Sequence, residues 1–124
     1  MKAFTTALAA TLLAATCLTA AAHGDAKAKH GGIVQMAADV VYELVPQPTG
    51  AALYVVDHDK PVDTAKMTGK LTVLNGTQKT EAALMPAGGN KLEATGLTVA
   101  TGAKVVASIT SAEGKTATVR FSVK

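Results

Sequence analysis

Residues 103–124 read AKVVASITSAEGKTATVRFSVK. Val105, Ala107 and Ile109 recur at every second position, and after the Glu113-Gly114 reversal so do Ala117, Val119, Phe121 and Val123. An apolar period of two marks a strand with one face turned to a core, and two such runs joined by a turn make a hairpin. The same pattern continues upstream. Ile33–Ala37 (IVQMA) and Asp39–Val45 (DVVYELV) are short strand candidates, and in the second Val41, Glu43 and Val45 alternate with Val40, Tyr42 and Leu44. The prolines and glycine of PQPTG (46–50) break that run. AALYVVD (51–57) is almost continuously apolar, as a central strand covered on both faces would be, and HDKPVD ends it. KLTVL (70–74) runs into Asn75-Gly76, a strong hairpin signal, with TEAALMP (80–86) as the return strand. AGGN then turns the chain into KLEAT (91–95).

No segment has a helical period, and the turn signals are closely spaced. The expected fold is therefore all-β, an antiparallel β-sandwich of about seven strands, with a small open barrel as the competing architecture. Alanine at many inward positions implies closely approaching sheets.

The chain has 124 residues and opens with Met1-Lys2, followed by an apolar run from Ala3 to Ala22 that ends Ala20-Ala21-Ala22. A short positive start, an apolar middle and a small-residue exit describe a cleaved signal peptide over residues 1–22. The run is long enough for a membrane span, but it is built of Ala and Thr and closes on a cleavage pattern. A lipoprotein anchor would use Cys17, which lacks a Gly or Ala just before it. Cleavage after Ala22 leaves 102 of the 124 residues, one domain's worth, with no cysteine and so no disulfide or thiolate metal site. Of the 12 Lys and Arg only Lys2 is lost, leaving 11 against 9 Asp and Glu. So small and dispersed a surplus does not indicate nucleic-acid binding. Residues 23–32 (HGDAKAKHGG) have no apolar period and read as a flexible tail ahead of a folded domain at 33–124.

Enzymatic chemistry finds little support. There is no G-x-S-x-G, no cysteine beyond Cys17, and no phosphate-binding loop, since AGGN lacks the lysine and the helix that such a loop needs. Metal binding has more candidates. All three histidines fall in the tail or at a strand end: His23, His30 and His58, with Asp25 in the tail and Asp57 and Asp59 flanking His58. Imidazole with carboxylate suits Cu(II) or Zn(II), and thioether suits Cu(I). As the first residue after cleavage, His23 would offer both its α-amine and a ring nitrogen, closing a chelate ring. The competing reading of Asp57-His58-Asp59 is a solvated turn, with Asp57 hydrogen-bonding the loop backbone before Pro61. Met36 and Met85 read as core fillers.

The ending of the chain resembles the last hairpin of an immunoglobulin-like domain. HGG (30–32), DVVYELV (39–45) and ALYVVDHDKPVDTA (52–65) together resemble a pattern of small exported proteins associated with heavy-metal efflux systems. A similar block stands near the start of some periplasmic adaptor subunits of metal-exporting pumps, and the strand–turn is similar to that of YtkA-like immunoglobulin-like domains. Residue by residue, His30, Gly31, Gly32, Asp57 and Pro61 match. Copper carriers of the copper-resistance type share the N-terminal histidine, here His23. Their Asp-x-His pair is absent, because Asp57 and His58 are adjacent, which argues against a square-planar Cu(II) site. The resemblance implies a periplasmic protein linked to copper, silver or zinc. The expected function is a metal-binding accessory protein, not an enzyme, with His23, His30 and His58 as ligands and Asp57 and Asp25 in support. Its expected partners are the metal ion and a metal-efflux adaptor or other envelope protein. After cleavage it would not be integral to a membrane. The alternative is an interaction module that docks on an envelope partner by an edge strand or the PQPTG loop.

Overall fold

The computed structural model describes residues 27–124. They form nine antiparallel strands and no helix: β1 (Ile33–Ala37), β2 (Val40–Gln47), β3 (Gly50–Asp57), β4 (Lys60–Pro61), β5 (Thr68–Asn75), β6 (Gln78–Pro86), β7 (Lys91–Thr95), β8 (Lys104–Thr110) and β9 (Thr116–Ser122). The expected signal peptide, with Cys17, His23 and Asp25, lies outside the described residues.

The strands follow the order β1-β2-β3-β7-β6-β5-β8-β9, with β4 paired to β3. One sheet holds β1 to β4 and β7; the other holds β5, β8 and β9. β6 joins the two, pairing with β5 along most of its length and with β7 through Met85 and Pro86. β1 and β9, the two ends of the path, lie near each other, so the sandwich curls toward a barrel.

Alternation decides which side chains meet between the sheets. Leu44, Leu53 and Leu92 stand in register across β2, β3 and β7, all fully buried. From the other sheet come Leu71 and Val73, the Val105, Ala107 and Ile109 row of β8, and Val119, Phe121 and Val123. With only one Phe and one Tyr in this core, close packing comes from Ala51, Ala94, Ala103 and Ala107, each at most 1% exposed. Thr64, fully buried, locks the crossing from one sheet to the other: its hydroxyl donates to the Lys91 carbonyl at 2.8 Å.

Several turns differ from the sequence expectation. PQPTG does not end β2 at Pro46. The strand runs on to Gln47, which pairs with Gly50 across a two-residue turn. Pro46 opposes Ala51, the pair next to the turn-closing one, where an N–H would point away from β3. Its other side is beyond the reach of β1, whose last partner along β2 is Leu44, so the missing donor costs no ladder bond. The Asn75-Gly76 hairpin is shifted by one residue. Asn75 pairs with Gln78, and the turn is Gly76-Thr77 with Gly76 at φ 62°, as a Gly-first turn requires. Asn75 is thereby freed to bridge the next loop, donating to the Thr98 carbonyl and accepting from the Ala100 N–H.

The β1–β2 and β3–β4 hairpins turn on Ala38-Asp39 and His58-Asp59, all four at φ between 49° and 65°. Two consecutive left-handed residues match the twist of the flanking strands, but Ala38 has no side-chain hydrogen bond to ease that conformation. Replacing Ala38-Asp39 by Asn-Gly is expected to stabilise the fold by about 1 kcal/mol, measured as a shift in the denaturant midpoint; an unchanged or lowered midpoint would contradict this turn geometry.

Candidate functional site

The outward face of the first sheet carries a cross-strand row of Val34, Glu43, Tyr54 and Lys91 on β1, β2, β3 and β7. Glu43 is only 5% exposed there, because residues 29–32 fold over it. The N–H of Lys29 donates to Oε1 at 2.9 Å, and those of His30 and Gly32 donate to Oε2 at 2.8 Å each. The His30 ring adds a fourth bond, Nδ1 to Oε1 at 3.0 Å, and stacks on Tyr54 with centroids 3.6 Å apart and planes within 4°.

The local sequence explains the cradle. Gly31 takes φ 69°, which lets the N–H groups on either side of it converge on one carboxylate. Gly32 crosses β2 so closely that a Cβ would fall on the Leu44 carbonyl oxygen and crowd the Val45 side chain. HGG is thus a clasp. Within the expected tail, the backbone from Lys29 to Gly32 hydrogen-bonds to Glu43.

Burial pushes the Glu43 carboxyl upward, the largest single influence, but the backbone N–H groups of Lys29, Gly32 and His30 and the His30 ring together outweigh it. The group sits below its ordinary value, so it is a carboxylate at neutral pH.

A cleft of about 500 Å³ opens beside the clasp. Its apolar wall includes Val34, Val41, Val56 and Pro61, and His30 and Tyr54 form an aromatic step. Lys27, Lys29 and Asp59 also line it.

Of the expected site residues, His30 lines this cleft and Asp59, beside His58, reaches it from the β3–β4 turn. His58 points to solvent at 79% side-chain exposure, and its Nδ1 pairs with the Asp57 carboxylate, which takes up the aspartate expected to brace the loop before Pro61. Among the described residues no group of three or more His, Cys, Asp or Glu is placed to hold a metal ion. Both described histidines nevertheless share one feature: Nδ1 lies on a carboxylate, which leaves Nε2 for a ligand. Two methionines differ from expectation. Met36 and Met85 occupy outward register positions, 42% and 59% exposed, while Met67 is in the core at 5%. Glu43 is the residue that sequence reasoning passed over. A carboxylate inside VVYELV needs buried donors, and HGG upstream supplies successive N–H groups.

No helix among the described residues is long and apolar enough to cross a membrane. The chain matches no family model and no curated protein. Among solved structures, the Br derivative of BhCBM56 is similar with a TM-score of 0.44 and 13% identity, over 73% of this chain and 99% of that one. That likeness is too distant to bear on function.

Glu43→Gln places an amide donor against a cradle of donors and is expected to cost about 2 kcal/mol at pH 7. Because the Glu43 pKa is lowered on folding, its contribution is present above the unfolded value and lost as pH falls through the folded one. Denaturation curves of the native protein and the variant should therefore begin to converge as pH falls below about 4, the ordinary glutamate range. Parallel curves down to pH 2.5 would show that the carboxylate is not so held.

Proposed function

We propose that this chain is a periplasmic metal-binding accessory protein that takes copper, or another soft or borderline cation such as zinc or silver, in the service of a heavy-metal efflux system. It acts as a binder and not a catalyst. The observation that carries this reading is the Glu43–His30 pair. A histidine that binds metal through one nitrogen ordinarily gives the other to a carboxylate, which fixes its tautomer and aims the ring. His30 Nδ1 is so held at 3.0 Å, and its ring is braced on Tyr54.

One imidazole is a weak site. The described residues supply no preformed cage, so further donors would come from His23 and Asp25 on the segment that leads into the clasp. His58, set by Asp57, is a second and separate imidazole. Lys29 and Gly32 hold the clasp in place and take no part in ligation.

A second reading has its own support. Met36 lies in register with Val41, which pairs with Val56, and Val56 with Pro61, giving an apolar strip on the outer face. An envelope partner could dock there without any metal.

Titration calorimetry of the purified protein with Cu(II), Zn(II) and Ag(I) separates the two. Saturable binding that His30→Ala weakens at least about tenfold, the loss of one good ligand, is the expected result. The absence of heat with all three ions, or binding that His30→Ala leaves intact, would overturn the metal reading.

A further inference from the structure

A second cavity, of about 670 Å³, opens at one end of the sandwich between the two sheets. Tyr42, Met67 and Ile109 reach it from the core, and Asp57, Glu113 and Lys115 stand around it. The β1–β2 turn contributes Ala38, and the β8–β9 hairpin closes the far side through Ser111 and Thr116.

Tyr42 is the informative residue. It is 4% exposed, and its hydroxyl makes no hydrogen bond that shifts its titration among the described residues. A buried tyrosine ordinarily finds a partner. The hydroxyl is not sealed in the core either, since the fully enclosed polar side-chain atom left without a partner is Thr80 Oγ1. Tyr42 lines the cavity together with Asp57, which pairs with Val40 two residues before Tyr42 and so stands on the same face of the sheet. Burial first, and the Asp57 carboxylate second, push the phenol upward, so it stays a neutral hydroxyl with one donor and two acceptor sites. Carboxylates outnumber cations at the opening, Asp57 and Glu113 against Lys115. The volume falls in the range of small-molecule sites.

We propose that this inter-sheet cavity is a binding site for a small apolar amine. The ammonium head donates to the Tyr42 hydroxyl and pairs with Asp57, whose carboxylate also meets the His58 ring, and the hydrocarbon body packs on Val40, Met67 and Ala117. The site is separate from the Glu43–His30 clasp and does not depend on the metal reading.

The test uses the ¹⁵N-labelled protein in the presence of EDTA, titrated with hexylamine, hexanol and hexanoate and followed by amide chemical shifts. Hexylamine should give saturable shifts at Val40, Tyr42, Asp57 and Ser111 to Ala117, and leave His30 and Gly32 unmoved. Tyr42→Phe should weaken it about tenfold, the worth of one good hydrogen bond. Asp57→Asn should reduce hexylamine to the affinity of hexanol. The proposal is overturned if hexylamine shifts none of these amides, if hexanoate binds as tightly, or if both variants bind hexylamine as the native protein does.

Discussion

A carboxylate buried on the outside of a β-sheet has to be given donors, and Glu43 receives four from residues 29 to 32. Taking the charge out of water costs several kcal/mol, whereas one hydrogen bond to a charged group returns about 1.5 to 3 kcal/mol. A single donor would leave the carboxylate at a loss. The full set makes it stable, and it is available only if Gly31 adopts a left-handed conformation and Gly32 lies flat against β2. The chain leading into β1, the orientation of His30, and the wall it forms with Tyr54 all follow from that requirement.

The rest of the sandwich is held in a different way. Its core is aliphatic and small-residue rich, with register set by alternation and the two sheets drawn together by alanines. The left-handed residues at Ala38 and His58 open two-residue turns whose twist matches that of the strands they join. The result is a scaffold with two distinct openings. One, on the outer face beside the clasp, is bordered by an oriented imidazole. The other, between the sheets, is bordered by a tyrosine hydroxyl.

Much of this scaffold was legible in the sequence because period-two patterning is a property of single residues. Ile33–Ala37 was placed to the residue, and the inward rows of β8 and β9 were read correctly. What escaped depended on position in space. Asn75-Gly76 announced a hairpin, but the second role of Asn75, holding Thr98 and Ala100, moved the turn by one residue. β4 went unseen because its turn uses His58-Asp59, which carries no glycine. By residue type Met36 and Met85 read as core fillers, whereas strand parity turns them outward. The clasp needs both halves at once: HGG reads as the end of a tail that carries a candidate ligand, His30, and Glu43 as one position in an alternating strand. Only their pairing across 11 to 14 residues gives either a purpose.

The clasp also sets the terms for function. His30 is fixed by Glu43 at one nitrogen and by Tyr54 through its face, so whatever ligand it meets must approach the other nitrogen. Amide hydrogen exchange at Lys29, His30 and Gly32 tests this arrangement most directly. The account predicts strong protection of all three in the native protein and its loss together in Glu43→Ala, with the core strands unaffected. Exchange of these amides at unprotected rates in the native protein would contradict it.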